Sequence, residues 1–92
     1  MTAKRQSLGA RLAHLLTPRQ REILTLMADH KDTDDGELVY EAGTAYVGLE
    51  CTNGKLVLGL LRLCAIHLDE GEPGGFERYS INETGLQMLG RT

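Results

Sequence analysis

The stretch "RYSINETGLQML", residues 78–89, sets a short alternating segment directly against the start of a helix. Tyr79 and Ile81 alternate with polar neighbours, the pattern of a strand with one buried face. Asn82 then has the side chain of an N-cap, and Ile81 before it can staple onto Leu86 inside the helix. The preceding segment "HLDEGEPGGFERYSI" reads as two short strands around a GEPGG turn. Residues 66–81 are therefore expected to form an antiparallel hairpin, and residues 83–89 a helix.

Upstream lies the most apolar segment, "TNGKLVLGLLRLCAIHL". With Thr52 or Asn53 as cap it predicts a helix of about 14 residues. Helical spacing puts Leu56, Val57, Leu60, Leu63, Cys64 and His67 on one broad core face. The opposite face carries Lys55, Leu58, Gly59, Arg62 and Ala65, a small and apolar set for a solvent surface. Gly59 costs about 1 kcal/mol relative to Ala unless a close approach uses it. Either a hairpin at residues 38–49 covers that face or another chain does.

"SLGARLAHLL", residues 7–16, spaces Leu8, Leu12, Leu15 and Leu16 as one helical stripe that needs a partner surface. Thr17, Pro18 and Gln20 next carry the marks of a capping box, so a helix should run over 18–30 with Ile23, Leu26, Met27 and His30 at helical spacing. "KDTDDGE" reads as a solvated turn: with Gly36 in the sixth place of a calcium loop, Lys31 and Thr33 would stand where ligands belong. "ELVYEAGTAYVGLE" predicts a hairpin of Leu38–Glu41 and Ala45–Leu49 broken at Gly43, with a short helix at 45–50 as the competing reading.

Composition bounds the function. A chain of 92 residues is one domain with one modest core. Aromatics make up only 4%, so Phe76 and three Tyr are the only large rings in a core of Leu, Ile, Val and Met. No apolar run approaches the roughly 20 residues that cross a bilayer, and "MTAKRQ" has no signal-peptide apolar region behind it. A cytoplasmic protein that does not contact membrane is expected, with Cys51 and Cys64 reduced. Residues 1–21 carry five bases and no acid, whereas the rest carries all 13 acids against five bases, giving a net charge of −3.

The order helix, helix, hairpin, helix, hairpin, capped helix is similar to a winged-helix domain. "RYSINETGLQML" resembles the second wing strand and closing helix of that family, whose members often read Tyr-x-Leu-Thr-x-x-Gly-x-x-x-Leu. Tyr79, Ile81 and Gly85 fill the matching places, and Asn82 stands where Thr is usual. "LTPRQREIL" resembles the first core helix of MarR-like regulators, and "LVLGLLRLCAIHL" their third helix running into the wing. The resemblance covers residues 16–90 and implies an α+β fold: a small winged-helix-like domain of about four helices with a mid-chain β-hairpin and a C-terminal wing hairpin.

The departures point away from DNA. In a DNA-reading member a helix precedes the third helix, and the third helix offers polar side chains to base edges. Here strands precede it and only Lys55 and Arg62 are offered, while the wing carries Asp69, Glu70 and Glu72, which repel phosphate. Fold does not decide function.

The residues expected to meet a protein partner are Lys55, Leu58, Gly59, Arg62, Asp69, Glu70 and Glu72. Leu8, Leu12, Leu15 and Leu16, on a helix spanning 6–16, are the expected dimerisation arm. Lys4, Arg5, Arg11, Arg19 and Arg21, with Lys55 and Arg62, are the alternative surface for duplex DNA. Cys51, Cys64, His67, His14 and His30 do not assemble the four ligands zinc needs, and Cys64 is expected to pack in the core. No nucleophile elbow, phosphate loop or Cys/His pair with an orienting acid is present, so no catalysis, cofactor or small-molecule substrate is expected. The reading is a small acidic binding module acting by protein contact, as a homodimer or as an inhibitor or adaptor. By analogy alone, such a chain would suit a phage or mobile element, as anti-CRISPR proteins do. The alternative is a DNA-binding regulator.

Overall fold

Each α-helix begins at a side-chain cap. The computed structural model describes residues 7–72 and 75–91. Ser7 accepts from the Ala10 amide to open α1, Leu8–Leu12. At α2, Pro18–Asp29, Thr17 accepts from the Gln20 amide at 3.1 Å and the Gln20 side chain accepts from the Thr17 amide at 2.9 Å, the full capping box. Asn53 caps α3, Gly54–Arg62, by accepting from Leu56, and Asn82 caps α4, Glu83–Met88, by accepting from Gly85.

Between and after these helices run five strands: β1 Leu38–Glu41, β2 Thr44–Val47, β3 Glu50–Asn53, β4 Ile66–Gly71 and β5 Glu77–Ile81. They form one antiparallel sheet in the order β3-β2-β1-β5-β4. The register aligns Val47, Leu38 and Tyr79 in one row and Ile81 with Ile66. All five are buried, and with Ala45 they meet Ile23, Leu24 and Met27 of α2, Leu56, Val57 and Leu60 of α3, and Met88 of α4 in a single core. Val39, Tyr46, Arg78 and Ser80 alternate with them and so face the other side of the sheet. The chain is thus α+β, with the 66–81 hairpin and the capped final helix in place.

Several expectations are corrected. The strand expected to run to Leu49 ends at Val47, because Gly48 takes φ 58° and turns the chain into β3, a strand the sequence reading did not contain. No helix forms at 45–50.

α3 is shorter than expected. Cys64 takes φ 59°, its amide donates to the Leu61 carbonyl, and the Ala65 amide donates to Leu60. This is a Schellman ending, in which the left-handed residue closes the helix and releases the chain into β4. Cys64 and His67 are therefore exposed rather than core, whereas Ala65, assigned to the outer face, is fully buried. On α2 the buried set is Ile23, Leu24 and Met27, with Leu26 half-buried and His30 exposed beyond the helix end.

The N-terminal stripe does not hold as one helix. α1 gives way to a 3-10 turn at Ala13–Leu15. Gly9 is buried against α4 so closely that an added Cβ would lie 2.3 Å from the Thr84 carbonyl, and this approach fixes which face of α1 turns inward. Leu12 and Leu16 lie against the core, whereas Leu8 and Leu15 stay about half exposed, at 52% and 50%.

Candidate protein-contact face

Lys55, Leu58 and Arg62 follow one another along the outer side of α3. All three are exposed, Leu58 by 48%. Gly59, expected on the same surface, is covered from within the chain: a Cβ there would come 2.6 Å from Gln20 Nε2 of α2. The glycine thus serves the approach of α2 to α3, and neither Gly59 nor the buried Ala65 belongs to an outer contact face. The hairpin of β1 and β2 contributes Tyr40 beneath this edge of α3 and leaves Leu58 open.

Beside Leu58 lies an open groove of about 450 Å³ between α3 and the sheet, with Tyr40, Val57, Leu61, Glu77 and Tyr79 in its walls and floor. Gly54 keeps it deep, since a Cβ there would meet the Tyr40 ring and hydroxyl at 3.0 Å. The Tyr79 hydroxyl donates to Glu77 Oε2 at 2.7 Å. Burial first, then the hydrogen bond and charge of Glu77, push the Tyr79 pKa up to about 12, so the hydroxyl stays a donor throughout the neutral range. The groove is apolar along most of its helix wall, with Lys55 toward the start of α3, and carries one engaged carboxylate on its sheet wall.

The acids of the 66–81 hairpin do not join this face. Asp69 receives the Ser80 hydroxyl and lies 2.8 Å from His67 Nε2, and Glu70 lies 3.7 Å from Arg78. Arg78 also reaches Glu37 at 3.6 Å and sits over the Phe76 ring. Ser80, Arg78 and their partners lie on the sheet face opposite Tyr79 and the groove, because side chains alternate across a strand. Glu72 is exposed in the turn beyond β4. The residues expected as one partner surface therefore fall on two sides of the sheet.

The basic set divides as well. Lys4 and Arg5 lie outside the described residues. Arg19 is engaged three times, donating to Glu22, to Glu50 at 2.8 Å and to the Cys51 carbonyl at 2.7 Å, and hydrogen bonds to Glu50 and then Glu22 push its pKa further up. Arg21 donates to the Ala13 carbonyl. Arg11 is exposed at the end of α1. Lys55 and Arg62 have no ion-pair partner among the described residues.

Among the described residues no group of three or more His, Cys, Asp and Glu is placed to hold a metal, and no helix is long and apolar enough to cross a membrane. The chain matches no family model, no curated protein and no solved structure. The sequence reading missed Tyr40, Leu61, Glu77 and Tyr79 as groove residues. The spacing of Gly54, Leu58 and Leu61 along one side of a helix was the available signal, but only the register of β1 against β5 brings Tyr40 and Tyr79 beneath it.

Proposed function

We propose that the chain is a winged-helix-like binding module that acts by protein contact through the outer edge of α3 and the adjoining groove. The observation that carries this is Leu58, half exposed on the lip of an apolar groove, on a helix whose other outward apolar positions are taken up within the chain. The winged-helix part of the reading is supported by the order α2, β1, α3, β4, β5 with β5 between β1 and β4. The β2 and β3 strands stand where a DNA-reading member has the helix that buttresses its recognition helix. Two cations on α3 are few for a phosphate track, because Arg19 is spent on Glu22, Glu50 and Cys51. For self-association through α1, Leu8 and Leu15 are what remains exposed of the four-leucine stripe.

A photo-cross-linking amino acid at position 58, activated in cells that make the protein, tests this. The expected adduct survives nuclease and, on digestion and mass spectrometry, yields a peptide of a partner protein joined at position 58. A nuclease-sensitive adduct, or nanomolar binding to a defined duplex that is lost in the Lys55→Ala/Arg62→Ala double variant, would overturn protein contact in favour of a DNA-binding regulator. The proposal puts duplex binding no tighter than about 10⁻⁴ to 10⁻⁶ M at physiological salt, the range of non-specific contact.

A further inference from the structure

Resting on that protein-contact reading, we infer the chemistry of the partner: an acidic peptide segment that seats an apolar side chain in the groove beside Leu58 and places carboxylates against Lys55 and Arg62. The argument is charge complementarity next to an open apolar site. Arg19, Lys31, Arg78 and Arg91 each lie within ion-pair distance of a carboxylate, whereas among the described residues Lys55, Arg62, Arg11 and Arg21 do not, and of these four only Lys55 and Arg62 stand on α3, beside the groove. These two unpaired cations bracket Leu58, three residues before it and four after, on the same side of α3. They are about 10 Å apart along the helix, at roughly 1.5 Å rise per residue.

The groove wall that faces them is not a second cationic surface. Glu77 lies there, held by the Tyr79 hydroxyl. A polymer with continuous negative charge, such as a nucleic-acid backbone, would have to run past that carboxylate. A peptide avoids it by putting an uncharged apolar side chain in the groove and keeping its carboxylates on the solvent side of Leu58. An apolar anchor between acids therefore matches the surface better than a phosphate track or a basic segment.

Selection of random dodecapeptides displayed on phage against the full chain tests this without a known partner. Three targets are used in parallel: the wild type, Leu58→Asp, and the Lys55→Glu/Arg62→Glu double variant. Positions 55, 58 and 62 are exposed, so the variants keep the core, and a circular-dichroism melt checks each one before selection.

The expected pool on the wild type has net negative peptides with one or two central Leu, Phe or Ile residues. Affinity of individual winners should fall about tenfold or more on each variant target and weaken as salt is raised. A Leu58-dependent pool that is neutral or basic would overturn the acidic-partner inference and leave protein contact at this face standing. A pool that binds Leu58→Asp as well as wild type, or no enrichment at all, would overturn both. Acidic winners that bind the double charge variant undiminished would also overturn the inference, because the cations would then play no part.

Discussion

Asn82 holds two helix ends at once, and its replacement separates the two roles. Its side-chain oxygen accepts from the Gly85 amide at 2.9 Å to cap α4, while its amide nitrogen donates at 2.8 Å to the carbonyl of Cys64, the residue that closes α3. Loss of an N-cap side chain costs typically about 1 kcal/mol. The Cys64 bond lies at the surface, where water can replace it, so its net worth is in the range of about 0.5–1.5 kcal/mol. Asn82→Ala should therefore cost roughly 2 kcal/mol, the sum of those two contributions.

Asn82→Thr keeps a capping oxygen but has no amide to reach Cys64, and should cost roughly 1 kcal/mol. Urea unfolding followed by circular dichroism measures both, and in thermal melts each kcal/mol corresponds to roughly 4–8 °C for a chain of this size. If Thr were as costly as Ala, the cap would not be what Asn82 supplies. If Thr were as good as Asn, the bond to Cys64 would be worth nothing.

Three further outcomes follow from backbone and titration. Cys64→Gly should raise stability by about 1 kcal/mol, since glycine occupies φ 59° without the left-handed penalty that a side chain carries there; urea midpoints decide it. Ala42→Asn should also stabilise, by about 1 kcal/mol or less, because Ala42 and Gly43 join β1 to β2 with φ of 52° and 83°, the two-residue turn that prefers Asn-Gly; a lower melting temperature would count against that turn. Tyr79 makes the fold sensitive to alkali. Its folded pKa of about 12 lies above the ordinary tyrosine value near 10, so the contribution is complete below about pH 10 and lost as pH rises through about 12. Glu77→Gln, which removes the neighbouring charge, should let Tyr79 ionise earlier in an ultraviolet titration.

What could be read from residues alone was local. Thr17 with Gln20, Asn53 and Asn82 are side chains whose chemistry acts within four residues, and all of these caps are present. The 66–81 hairpin was legible because Tyr79 and Ile81 alternate with polar neighbours and a glycine-rich turn precedes them. The end of α3 was not, because a cysteine in the left-handed closing position carries no sequence mark of the kind glycine gives at Gly90, which takes φ 72° after α4. β3 was missed because Thr52 and Asn53 read as a helix cap, and only pairing with β2 makes the same residues a strand. For the candidate site, the outward line of Lys55, Leu58 and Arg62 could be written from spacing. Whether Gly59 met α2 or another molecule could not, since that depends on how two helices distant in the chain cross. For the same reason Asp69 and Glu70 were counted with Lys55, Leu58 and Arg62 as partner residues, whereas the pleat turns them to the far side of the sheet.

The grip of Arg19 on β3 bears on how the chain avoids sticking to its copies. β3 and β4 are the two borders of the sheet, and an open border is a template for another strand. β4 is blunted by the register irregularity between Leu68 and Glu70 and by its own acids. β3 is short, and its Cys51 carbonyl is taken by a guanidinium that belongs to α2. That protection is borrowed from an element about thirty residues upstream, so it exists only after α2 has docked. A nascent sheet without α2 would present β3 uncovered, beside a turn whose Leu49 is fully exposed even in the folded chain. Newly made or heat-disturbed chains would then be most prone to coalesce in the interval before α2 docks, and Arg19→Ala would leave that carbonyl open even afterwards, without touching the core.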